Sequence, residues 1–218
     1  QLRSAFSKAM RDSFRWPGEY ITLYPDGKYS FYHNYIHGQC DKSRLKEDLG
    51  KVFWIHTLSY KPYPVCGQCL SPSTDVDYLM KKYDLTKEDI VSVDVGTNQH
   101  GYRACVEPEE VKYNPQRVVD GQFSIPFSVS TMIVKRHISL SDLTDEGIHD
   151  PEVRTWFEKV HAYVDEDVQR EYPRGICPAK VTLHTVKGDF TAAMFQKGHP
   201  TNPFTMEDME EKFRLCLP

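Results

Sequence analysis

The run AKVTLHTVKGDFTAAMF, residues 179–195, constrains the fold most. Two β-rich segments flank Lys187-Gly188-Asp189, and a short glycine-bearing turn between such segments reads as a β-hairpin. A third segment, IVSVDVGT at 90–97, alternates apolar and polar residues and reads as another strand. About eighty residues separate it from the hairpin, and they carry mainly helical patterns. A few strands among helices argue an α+β fold, with a short antiparallel sheet and flanking helices.

The helical patterns are explicit. Val76, Leu79, Met80 and Tyr83 fall at i, i+3, i+4 and i+7, which predicts an amphipathic helix over 75–83. A second helix is expected over 123–137, with Pro126 in its first turn, where a missing N–H costs little. Asp150-Pro151 is an N-cap and N1 pair. The helix it opens is expected to carry Val153, Trp156, Phe157, Val160 and Val164 on one face. Thr205 and Asp208 form a capping-box start for a last helix, read as a solvated helix with an apolar stripe. WIHTLSYK, 54–61, has strand character, and 98–122 reads as polar and irregular. Near the start, residues 1–16 carry a helical stripe stopped by Pro17-Gly18. Residues 20–40 are rich in aromatics, and 41–50 form a short charged helical piece ending at Gly50. The chain begins at Gln1 with no N-cap in view, which reads as a cut.

Net charge is −4, which gives no electrostatic reason to expect nucleic acid. No apolar run approaches the length of a membrane span. Six cysteines are scattered, with one tight pair, unlike a dense disulfide scaffold. Reduced thiols in a cytoplasmic or mitochondrial protein are expected.

The stretch SYKPYPVCGQCLSP, 59–72, concentrates the candidate chemistry. Lys61 stands at the end of the expected strand, before a turn stiffened by Pro62 and Pro64. That rigidity lowers the entropy cost of holding an ammonium against an anion. Cys66 and Cys69 follow as C-x-x-C. On spacing alone they could be part of a zinc site, a redox pair, one wall of an active site, or inert buried thiols. A zinc site needs about four ligands, and no second knuckle stands out. His33 and His37, at i, i+4 with Cys40 after them, lack a clear helix. A thioredoxin-like pair should open a helix after a strand, usually behind a Trp. His100, Tyr102 and Arg103 lie in the polar run NQHGYR, and loops carry function more often than their share. His199 reads as a turn residue.

Four stretches together resemble the MmgE/PrpD family. KPYPVCGQCLSPSTDVDYL looks like its lysine–proline turn followed by a helix. DGQFSIPFSVSTMIVKRHISLSDLTDE resembles the segment in which a Phe-Ser pair opens a helix, with His137 where the family has glycine. CPAKVTLHTVKGDF is similar to its hairpin, and GHPTNPFTMEDMEEKF to its C-terminal end. Order and spacing agree over roughly residues 50–215, and residues 1–35 fit more weakly. The resemblance implies a lyase acting on a small polycarboxylate: a 2-methylcitrate-type dehydratase first, a cis-aconitate-type decarboxylase or an epimerase next. A non-catalytic homologue is the rival. It implies no metal and no organic cofactor, and a homodimer. It divides the chain into the tail of a larger helical domain (1–50), a smaller α+β domain (51–198) and a returning helix (199–218). The N-terminal helical half, with the family's Asp, His and second lysine, would lie outside this chain. Lys61 aligns with the family's site lysine. Cys66 aligns with a position that is His in several relatives. His100, Tyr102 and Arg3 align as substrate-binding candidates.

Overall fold

The computed structural model describes residues 47–176 and 178–216, together with 35, 37, 39 and 41. Arg3, the helix expected over 1–16, most of the aromatic segment 20–40, His33, Cys40 and residues 42–46 lie outside the described residues. The chain divides into two compact units, Gln1–His56 and Thr57–Pro218. In the first, Trp54–Thr57 begins a single 3-10 turn that ends across the boundary.

The second unit is built on a four-stranded sheet, with strands β1 (Ile90–Thr97), β2 (Val160–Val164), β3 (Lys180–Thr185) and β4 (Gly188–Ala192) in the order β2-β1-β3-β4. The α+β expectation holds, but the sheet is mixed. β1 runs antiparallel to β3 and parallel to β2, with Val93 opposite Val160 and Thr97 opposite Val164. The hairpin β3–β4 forms as its turn chemistry requires, with Gly188 at φ +120°.

Val93, Val95, Val160, Val181 and Leu183 point to one face of the sheet and are buried. Helix α1 (Gly67–Lys82) packs there on β3 and β4. The short helices α2 (Gln99–Cys105), α3 (Glu109–Lys112) and α4 (Val118–Gln122) follow β1. Helix α5 (Ile125–Lys135) packs on β2 and along α1. Alternate residues on the strands, Asp94, His161, Lys180, Thr182, His184 and Asp189, form a polar opposite face. There His184 bridges Asp94 at 3.1 Å and Asp189 at 3.0 Å. Both hydrogen bonds hold its imidazole above the usual histidine range.

Local chemistry explains most boundaries. Ser124 caps α5, its hydroxyl accepting from the Phe127 N–H at 3.0 Å, and Pro126 sits in the first turn. Helix α7 (Glu166–Glu171) follows β2, capped by Asp165, and helix α8 (Met206–Leu215) opens with the Thr205–Asp208 capping box and leaves Met206 and Phe213 exposed.

Four expectations fail. Helix α1 starts eight residues before Asp75 despite Pro72 inside it, because its polar first half, including Ser71, Ser73 and Thr74, is buried. Residues 98–122 fold into short helices that are too brief to carry an apolar stripe. The stripe from Val153 to Val164 is divided among helix α6 (Pro151–Arg154), a 3-10 turn and β2, because pairing with β1 claims Val160–Val164. Residues 54–61 form no strand, and the Tyr60 N–H donates instead to the Gly198 carbonyl at 2.9 Å.

Candidate active site around the start of helix α1

The segment bearing Lys61 is fixed by more than its prolines. Beside it, the Tyr60 N–H is bonded to Gly198. Gly198 has φ +90°, and a Cβ there would lie 2.4 Å from the Tyr60 carbonyl oxygen. Only glycine permits that approach. The Lys61 carbonyl accepts from the Lys212 ammonium of α8. The Lys61 side chain then curls back, its Nζ donating to the Val65 carbonyl at 3.0 Å. The ammonium therefore lies beside the residues that lead into α1, and it makes no ion pair among the described residues. Its other N–H groups can meet an anion.

Cys66 is the N-cap of α1 and uses its backbone alone for the purpose. Its N–H donates to the Gln122 carbonyl at 2.8 Å and its carbonyl accepts from the Cys69 N–H at 2.9 Å. The thiol shares a hydrogen bond with Cys105, at the end of α2. Cys105 is in turn bonded to Cys69. The hydrogen bond with Cys105, together with burial, pushes the Cys66 thiol well above the ordinary range. At Cys105 the bond to Cys66 pulls down, but Cys69 and burial outweigh it, so that thiol is raised too. Such thiols stay protonated at neutral pH and are poor nucleophiles. Among the described residues no group of three or more His, Cys, Asp or Glu is arranged to hold a metal.

His100 and Tyr102 lie on α2, where a loop was expected. Asn98 caps this helix by accepting from the Gly101 N–H at 2.7 Å. His100 is exposed in the first turn. The Tyr102 hydroxyl donates to Glu109 at 2.8 Å; that bond, with some burial, pushes its pKa up to about 12. Its proton is thus committed to Glu109.

The starts of α1 and α2 are joined by residues that the sequence reading missed. The Gly175 carbonyl accepts from Gln68 Nε2 at 2.9 Å and from Asn98 Nδ2 at 3.1 Å, and Asn98 also donates to the Tyr172 carbonyl at 2.8 Å. Gln68 and Asn98 are buried. Ile176 covers Gly67, where a Cβ would lie 2.6 Å from its Cδ1. Residues 172–176 thus form a strap across both helix starts. Of the expected residues, the structure brings Lys61 and Cys66 onto one turn. It sets the helix carrying His100 and Tyr102 beside that turn. Asn98 was the readable signal, since Asn before a helix is a common N-cap. Nothing local marks Gln68.

A cavity of about 590 Å³ opens beside the same turn, lined by Pro62, Tyr63, Arg136, Lys197 and Lys212, but Lys61 and Cys66 do not line it. Much of its positive charge is already balanced. Lys81 and Arg136 share Asp77, and Lys197 pairs with Asp208. It is a poorer anion site than the α1 start.

Compared with known proteins, residues 63–218 match the MmgE/PrpD C-terminal domain, well over half of the chain. No curated protein matches it. Among the described residues no helix is long and apolar enough to cross a membrane.

Proposed function

Because the chain belongs to the MmgE/PrpD family, a dehydratase- or lyase-type family matched here through its C-terminal domain, we propose that it forms part of a lyase for a small polycarboxylate. Dehydration of a 2-methylcitrate-like acid is the favoured reaction, ahead of decarboxylation or epimerisation. The observation that carries this reading is the Lys61–Cys66 turn, a cation with no ion pair among the described residues next to a thiol kept protonated.

The chemistry follows from the two groups. Removing a proton from the carbon beside a carboxylate builds negative charge on the substrate. The Lys61 ammonium stabilises that charge where it develops. As the C–O bond breaks, the leaving hydroxyl takes a proton and departs as water. Cys66 is the proposed donor: its S–H bond breaks as the new O–H bond forms. A thiol kept protonated has its proton available to the oxygen that gains negative charge as the C–O bond lengthens. The carbon's proton goes to a base supplied by preceding chain, and its return to the Cys66 thiolate resets the site. His100 is proposed to contact substrate. Tyr102, committed to Glu109, is proposed to shape the wall. Arg3, outside the described residues, is proposed as a substrate-binding residue on the resemblance alone. We also assign the exposed apolar residues of α8 to packing against the helical half, within a homodimer, and the protein to the cytoplasm or mitochondrion.

The test offers 2-methylcitrate, citrate and cis-aconitate to the full-length gene product and follows the ultraviolet absorbance of a double bond conjugated to a carboxylate. Turnover that falls by about 10²–10³ in Lys61→Ala, with folding intact, supports the reading. Turnover that survives the substitution removes Lys61 from the mechanism. No turnover of any of the three favours the non-catalytic homologue.

A further inference from the structure

Arg174 lies at the centre of the strap, between Tyr172, whose carbonyl is bonded to Asn98, and Gly175, whose carbonyl is bonded to Gln68 and Asn98. Its side chain is exposed, and among the described residues no hydrogen bond or ion pair occupies it. The residues on both sides of it are fixed. Gly175 turns the chain at φ +78°. Ile176 is seated over Gly67, next to Cys66. On the other side, the Tyr172 ring meets Phe195 edge-on at 5.6 Å, and Phe195 stacks on His199 at 3.9 Å. The strap therefore presents a guanidinium with no partner among the described residues, on a backbone anchored to the starts of α1 and α2.

We propose that Arg174 binds a second carboxylate of the substrate, so that the strap selects polycarboxylates over monocarboxylates. The inference rests on the proposed function and deepens it. A guanidinium is a planar fork that matches a carboxylate through two parallel hydrogen bonds, whereas Lys61 offers a point charge. One cation placed to stabilise developing charge and one placed to hold a remote carboxylate divide catalysis from recognition. Anchoring the strap in advance lowers the entropy cost of ordering the arginine on binding. The buried amides of Gln68 and Asn98 act as positioning residues for it.

The experiment is calorimetric titration of the full-length protein with propane-1,2,3-tricarboxylate, an unreactive saturated tricarboxylate, and with acetate. In the unmodified protein the tricarboxylate is expected to bind and acetate to bind far more weakly. Arg174→Gln is expected to weaken tricarboxylate binding at least tenfold, and Arg174→Lys to restore part of the loss. Lys159→Gln serves as the control, because Lys159 precedes β2 at the end of the sheet remote from Thr97. In turnover assays Arg174→Gln should raise KM much more than it lowers kcat. Unchanged binding in Arg174→Gln, or an equal loss in Lys159→Gln, overturns the role of Arg174 while leaving a turnover-positive lyase standing. No tricarboxylate binding and no turnover in the unmodified protein overturns both readings.

Discussion

Asp75→Asn is the substitution with the largest expected effect on stability, and in an unusual direction. Asp75 is fully buried on α1, accepts from the Met194 N–H at 3.2 Å and has no ion pair among the described residues. Burial pushes its carboxyl up to about 8, against a partial pull from the Met194 hydrogen bond. In the unfolded chain it titrates at about 3.9. Its folded pKa is therefore raised. The stability it contributes is fully present below about pH 4 and is lost as pH climbs towards about 8. Each pH unit in that window costs about 1.4 kcal/mol, so the penalty at pH 7 is on the order of 4 kcal/mol at most, and roughly 2–4 kcal/mol once the site relaxes. Asparagine has nearly the same shape, still accepts from Met194 and never ionises. Urea unfolding of both proteins from pH 4 to pH 9 checks this. The two should be alike at pH 4. By pH 7 the variant should be more stable by about 2–4 kcal/mol. Parallel curves across the range, or a variant less stable at pH 7, would refute the assignment of burial as the cause.

Other outcomes follow from the same geometry. Cys105→Ala should make Cys66 alkylate faster with iodoacetamide at pH 8, by tenfold or more, because the bond that raises its pKa is gone; an unchanged rate would mean burial alone protects it. His184→Gln should remove a small pH-dependent contribution, under ~1 kcal/mol for so exposed a pair. That contribution is fully present below about pH 6.5 and is lost as pH rises through the raised folded pKa, so the unfolding curves of the two proteins should converge at alkaline pH. Gly198→Ala should lower stability by at least ~1–2 kcal/mol through its left-handed backbone alone. Its clash with the Tyr60 carbonyl should also reduce turnover by displacing Lys61, and retained turnover would show that the segment tolerates the shift.

What the sequence made legible were features encoded within a few neighbouring residues. The β3–β4 turn, the Asp150-Pro151 and Thr205–Asp208 caps, and the alternation of β1 are each complete in under ten positions, and each appears in the structure. Failures came where distant partners decided. Val160–Val164 looks helical until β1 is beside it. The first half of α1 looks like a polar loop until the segment 194–197 covers it, with Asp75 bonded to Met194 and Thr74 to Lys197. At the candidate site, Lys61 and Cys66 stood out because prolines and a C-x-x-C are visible locally. The Gly175 clamp joins residues 68, 98 and 175, and the thiol chain joins 66, 69 and 105. No local pattern signals a contact across such separations.

The position of β1 has a consequence for how the chain is made. Both of its partners come later in the sequence: Val93 waits for Val160, and Val95 for Val181. During synthesis the strand emerges with two open edges and an apolar face, and its ladders cannot close until residues 160–185 have left the ribosome. Contacts of such long sequence separation are slow to form, because loop closure must precede the gain from pairing. Chains stalled or truncated before β2 would carry an unpaired Ile90–Thr97, a ready template for aggregation. Expression of fragments ending near residue 150 should therefore yield insoluble protein, whereas chains that include the β3–β4 hairpin should not.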